Sequence, residues 1–215
     1  MTVDRRITSY FPEEIGRFAS MDRNAFFREL LLMDWIPAGT VMCTRKALLE
    51  IGGFREFASA GFVDYPTWLA LTSVGEVKAI DELLGYWRQH SEQITASELP
   101  QIIEASADIV LSHFLSLPDD VKQKTGLTYT FLRKQRRILT GDTYYDQAKV
   151  VWQQGRRSLA RKRFARSLIL GDFGVKKMAF LAFCLTYTRA DHDFFSKHFQ
   201  RSAVEDLEGS EKSER

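Results

Sequence analysis

Few side chains in this sequence are spaced for chemistry, and each also has a plain structural reading. Asp64 stands two residues before Pro66 at the start of a predicted helix, where a carboxylate can cap free backbone N–H groups. Arg88 and His90 flank Gln89 in the segment YWRQH. A guanidinium pairs with phosphate through two parallel hydrogen bonds, and an imidazole hydrogen-bonds phosphate or ligates a divalent cation. Taken alone, that segment also reads as a solvated strand end. Asp191 and Asp193 on either side of His192 have the spacing of two ligands to one cation, but their helical context reads as a helix end. Cys43 and Cys184 are far apart, with neither a CxxC nor a metal-ligand spacing, which suits a reducing compartment.

A second feature is charge. From Lys149 to Lys177 the cations include Arg156, Arg157, Arg161, Lys162, Arg163 and Arg166, and Asp172 is the one acid. Ala160, Phe164 and Leu168 recur at helical spacing inside this stretch, so it reads as an amphipathic helix with a cationic face. Such a face attracts anionic lipid headgroups. Phosphate backbones would feel the same field, yet no nucleic-acid module accompanies it, so nucleic acid is not expected as a partner. The phenylalanines from Phe173 to Phe199 read as core or hairpin contacts.

The elements that position these residues follow from periodicity and from helix stop signals. Asn24 to Met33 is predicted helical, capped by Asp22 or Asn24 and ended before Pro37. Thr40 to Thr44, Glu76 to Ile80 and Leu83 to Arg88 read as short strands. Thr44 is a predicted cap for a helix that closes on Gly52-Gly53, and Tyr65 to Val74 is a helix stopped by Gly75. From Leu99 onward only helical pattern remains, with breaks expected near Pro118, Gly126, Gly141, Gly155 and Gly171. The expected fold is therefore a mixed α/β portion with a sheet remnant over residues 1–95, an all-α domain over 96–200 and a disordered tail over 201–215. Helix dominates overall.

Composition agrees with a folded globular chain. Of 215 residues, 45% are hydrophobic, and 16 phenylalanines supply a sizeable core. The net charge of +2 excludes a strongly basic nucleic-acid binder as a whole-chain description. No apolar run approaches the ~20 residues that span a bilayer, and the N-terminus lacks a signal-peptide core, so a cytoplasmic setting is expected.

Residues 36–95 resemble the C-terminal half of the catalytic domain of family 2 glycosyltransferases, of GT-A type. The likeness rests on an R-x-x-L-x-x-x-G-G-F-x-E segment at Arg45, Leu48, Gly52, Gly53, Phe54 and Glu56. An acid at Asp64 then opens a helix, followed by Gly75 and a Y-x-R-x-H ending at Tyr86, Arg88 and His90. The resemblance implies inverting transfer of a sugar from a nucleotide-diphospho-sugar to a hydroxyl of a glycan or lipid-linked acceptor. It makes Asp64 the base that takes the acceptor proton. It also implies that Gly52 to Phe54 shape the acceptor loop, with Phe54 anchoring it in the core. Arg88 and His90 would lie beside the donor diphosphate, His90 as a ligand of Mg²⁺ or Mn²⁺. Val63 stands where the family carries a second acid.

The family's nucleotide-binding half, with its D-x-D metal site, has no counterpart upstream of these motifs. The chain alone is therefore expected to hold no cofactor tightly and to be weak or inactive as an enzyme. A non-enzymatic binding or scaffold protein, or a peripheral-membrane adaptor at the inner membrane face, is the alternative expectation.

Overall fold

The computed structural model describes residues 20–34, 36–56, 64–80 and 94–188. Within them the chain forms α1 (Arg23–Leu32), a 3₁₀ turn (Ala38–Thr40), α2 (Arg45–Glu50), α3 (Asp64–Val74) and α4 (Ile94–Ser116). Four further helices follow: α5 (Asp119–Thr125), α6 (Tyr129–Gln153), α7 (Arg157–Leu170) and α8 (Phe173–Leu185).

The sheet remnant is not there. Among the described residues no strand forms, which overturns the expected α/β portion. The physical reason is that the described β-prone stretches make other contacts and find no paired strand among the described residues. Thr40 turns back on Pro37, its N–H at 2.9 Å and its hydroxyl at 2.8 Å from the Pro37 carbonyl, and this folds the start of the β-prone run into a 3₁₀ turn. Residues 76–80 do alternate, with Val77 and Ala79 half-buried and Glu76, Lys78 and Ile80 exposed. The inward pair packs against the first core, and no described residue forms a ladder with it. The third predicted strand, Leu83 to Arg88, lies outside the described residues.

Helix ends obey local capping chemistry. Asp22 accepts from the N–H groups of Asn24 (2.8 Å) and Ala25 (2.9 Å), and Thr44 accepts from Ala47 (3.2 Å). At the end of α2 the N–H of Gly53 returns to the carbonyl of Leu48 (2.8 Å) and that of Gly52 to Leu49 (3.0 Å). Both glycines have positive φ, +87° and +94°, in the left-handed region that a side chain disfavours.

Packing divides the chain into two compact units. The first comprises residues 1–98 and 104–136, the second 99–103 and 137–215. In the first unit, Phe26, Phe27, Leu30 and Leu31 of α1 share a core with Trp68 and Leu69 of α3, Ile109, Val110 and Phe114 of α4, and Leu132 of α6. In the second, Tyr145 and Trp152 of α6 enclose Phe164 of α7, at ring-centroid distances of 5.9 and 6.0 Å. Val175, Ala179 and Ala182 of α8 complete that core.

Gly141 departs from its expected role as a break. It lies inside α6, and the space over it is taken by the turn that joins α7 to α8.

Candidate functional site

The residues that carry the resemblance and fall within the described chain sit in the first unit. Asp64 opens α3, and one of its oxygens accepts from the N–H of Tyr65 at 2.8 Å. Three residues on, the buried Thr67 hydroxyl accepts from the backbone N–H of Arg55 at 2.9 Å, while the Arg55 guanidinium donates to the Ile51 carbonyl at 3.1 Å. These two bonds fasten the Gly52–Phe54 loop to the first turn of α3. A Cβ on Gly52 or Gly53 would meet nothing within 4 Å, so their positive φ, and not crowding, is what calls for glycine.

Phe54 is 63% exposed, so it does not anchor the loop in the core. Arg88, His90, Val63 and the pair Asp191 and Asp193 lie outside the described residues.

Beside Asp64 the structure gathers residues that the sequence motifs did not single out. Asp34 follows α1, partly buried, and one of its oxygens accepts from the N–H of Ile36 at 3.2 Å. Burial pushes its carboxyl up to about 7; the Ile36 N–H opposes that rise, the negative charge of Asp64 adds to it, and Arg136 opposes it. Arg136 is only 2% exposed. Its guanidinium donates to the Leu32 carbonyl at 3.0 Å and to the Ser106 hydroxyl, and lies 5.8 Å from the centre of the Tyr65 ring. The Tyr65 hydroxyl in turn donates to the Leu30 carbonyl at 2.7 Å.

The result is a carboxyl that keeps its proton near neutrality beside a second carboxylate, over a buried cation. Arg136 was hidden in the run RKQRR, which has the composition of a solvated basic face. Asp34 had only its place before Pro37 to mark it.

His113 shapes the same unit from α4. It stacks edge-on against Phe27 at 5.9 Å, and its Nε2 is buried without a hydrogen-bond partner. Burial, with Arg55 adding its charge, lowers it to about 4. Asp34 and His113 therefore act on stability with opposite signs. The contribution of protonated Asp34 is full below about 3.8 and is lost as pH rises through about 7. That of neutral His113 is full above 6.5 and is lost as pH falls through about 4. The two slopes oppose each other across the shared interval. Urea unfolding at a series of pH values is expected to show Asp34→Asn gaining stability relative to the parent chain as pH rises from about 4 to 7, and His113→Gln losing it. Parallel pH profiles for all three proteins would contradict both assignments.

The ligand that the resemblance implies for Mg²⁺ or Mn²⁺, His90, lies outside the described residues. Among the described residues no three Asp, Glu, His or Cys side chains come together as ligands, and the oxygens of Asp34 and Asp64 that accept hydrogen bonds do so from their own backbone neighbours.

The predicted cationic face belongs to the second unit. Arg156, Lys162 and Arg166 are exposed, and Arg157 and Arg161 are half-buried. Arg163 does not belong to that face: it is 9% exposed and reaches inward to the carbonyl and side-chain oxygens of Gln147, both at 3.3 Å. No helix among the described residues is long and apolar enough to cross a membrane.

No protein-family model, no curated protein and no solved structure matches this chain.

Proposed function

We propose that the chain supplies the acceptor side of an inverting, family 2-like glycosyltransferase, with Asp64 as the base. The observation that carries this reading is the juxtaposition of Asp64, the Gly52–Phe54 loop and Asp34 around the start of α3. In the transfer, an acceptor hydroxyl oxygen attacks the anomeric carbon of the donor sugar. The bond from that carbon to the nucleoside diphosphate breaks, and the hydroxyl proton passes to the carboxylate of Asp64. Asp34, holding its own proton to near neutrality, leaves Asp64 as the accepting carboxylate of the two.

The exposed ring of Phe54 offers a flat apolar surface for the face of a sugar at the edge of this cluster. The donor diphosphate belongs, by the same resemblance, with Arg88, His90 and a nucleotide-binding portion. A cytoplasmic setting suits the reading, since Cys43 and Cys184 are both free and exposed.

Val63, at the place of the family's second acid, favours a second reading in which the same surface binds a glycan without turning it over. The two share one test of the surface. Saturation-transfer NMR of an oligosaccharide panel against the full chain is expected to show saturable contact that weakens about tenfold or more in Phe54→Ala, in line with the loss of one well-buried aromatic contact. The same affinity in the variant would contradict the placement of the sugar.

A further inference from the structure

We infer that the α7–α8 hairpin is a docking surface for an anionic lipid bilayer, lying in the plane of the headgroups. This rests on the second unit alone and is independent of the glycosyltransferase reading.

The sequence pattern reads Phe173 and Phe180 of α8 as core or hairpin contacts, and the structure leaves both exposed, together with Tyr187 just after the helix. Phe173 is 85% exposed, Phe180 58% and Tyr187 64%. They stand seven residues apart, so they fall on one side of the helix and its closing turn, with Lys177 and Cys184 exposed between them. The opposite side holds Val175, Ala179 and Ala182 against α7 and α6. A helix whose inner face is already packed therefore presents a second apolar stripe, of aromatic residues, to solvent.

Charge says what covers it. From Arg156 to Thr188 the hairpin carries eight cations against one acid, Asp172, whose carboxylate is engaged in capping α8 through the N–H of Val175 at 2.8 Å. Cations and aromatics meet directly: the Arg161 guanidinium lies 4.4 Å over the Tyr187 ring, and Arg157 donates to the Thr188 carbonyl. At this same N-terminal end of α7, the first turn has no side-chain cap and no acid. It opens into a shallow depression of about 490 Å³ lined by Gly155, Arg156, Arg157, Ser158, Leu159 and Lys162. A second copy of the chain would bring like charge against like charge on this face. A nucleic-acid backbone would use the cations and leave the phenylalanines without a role. An anionic bilayer uses both, with phosphates and carboxylates at the cations and the acyl boundary at Phe173 and Phe180. No described helix is long and apolar enough to cross a membrane, and the proposed contact is with the headgroup plane.

The test is co-sedimentation of the full chain with vesicles of phosphatidylcholine alone and of phosphatidylcholine mixed with phosphatidylserine. Binding is expected only to the mixed vesicles, weakening about tenfold or more when salt is raised to about 0.5 M. The double variant Phe173→Ser/Phe180→Ser and the double variant Lys162→Glu/Arg166→Glu are each expected to weaken it by about tenfold or more. Phe131→Ser, which alters an exposed aromatic of the first unit, is expected to leave it unchanged. All four positions of the double variants are exposed, so circular dichroism should report an intact fold for each.

Equal binding to neutral vesicles would overturn the inference, as would indifference to the phenylalanine pair. So would duplex DNA binding that matches the vesicle affinity and ignores Phe173 and Phe180. A concentration-dependent dimer that the phenylalanine pair dissolves would assign the face to a second copy instead.

Discussion

Gly141→Ala is expected to destabilise the second unit by about 3 kcal/mol or more, although the same exchange in an exposed helix stabilises by about 1 kcal/mol. Gly141 lies in the middle of α6, where alanine is the better helix former. A Cβ added there would stand 2.3 Å from the nitrogen of Gly171, 2.4 Å from its Cα and 2.7 Å from the carbonyl carbon of Leu170. All three are backbone atoms, so no side-chain rotation relieves the clash. The turn between α7 and α8 must shift bodily, and with it the seating of Phe164 and Val175 in the core. That turn is itself pinned, by the N–H of Gly171 on Ser167 at 2.8 Å and by the Asp172 cap of α8. Urea denaturation followed by circular dichroism reads the loss directly. A variant as stable as the parent, or more stable, would mean that α6 and the turn do not approach as described.

Arg136→Ala is the second large effect, expected to cost about 3–5 kcal/mol in the first unit. The guanidinium is enclosed by α1, α3 and α4, and it satisfies the Leu32 carbonyl, which lacks an intrahelical partner because it is the last residue of α1. Truncation leaves that carbonyl and the Ser106 hydroxyl without the cation, and opens a cavity under the Tyr65 ring. It also removes the positive charge that holds Asp34 down, so the Asp34 carboxyl should move further up. Arg136→Met keeps the apolar stem and fills most of that space, so it is expected to cost less than the alanine. Equal losses in the two variants would show that packing of the stem contributes nothing, against the geometry described.

Local chemistry made much of the helical framework legible from sequence. Asp22, Thr44 and Gly126 stand at helix termini because capping and left-handed closure depend on one or two residues. The strands were misread for a corresponding reason. Residues 40–44 and 76–80 have β-like composition, but a strand exists only where a neighbour takes its hydrogen bonds, and that is decided at long range. Gly141 was misread as a break because its reason for being glycine is the turn at Gly171, thirty residues away in sequence.

The candidate site was legible in part. Asp64 and the Gly52–Phe54 loop carry a spacing that can be seen in the chain. Asp34 and Arg136 carry none, since the burial that sets their chemistry comes from α1, α3, α4 and α6 packing together. Phe54, Phe173 and Phe180 show the converse: the family resemblance placed Phe54 inside and hydrophobic pattern the other two, and packing left all three exposed.

The most direct measurement of the central claim is the binding of an oligosaccharide panel to the full chain, compared between the parent and Asp64→Asn. Amide shifts of Gly52, Gly53 and Arg55 report on the loop beside the carboxylate. The expected result is saturable binding that moves these three signals and weakens in Asp64→Asn, while Phe131→Ser behaves as the parent. A chain that binds no member of the panel, or binds one without moving the loop or sensing Asp64, would contradict the assignment of this cluster to a sugar acceptor.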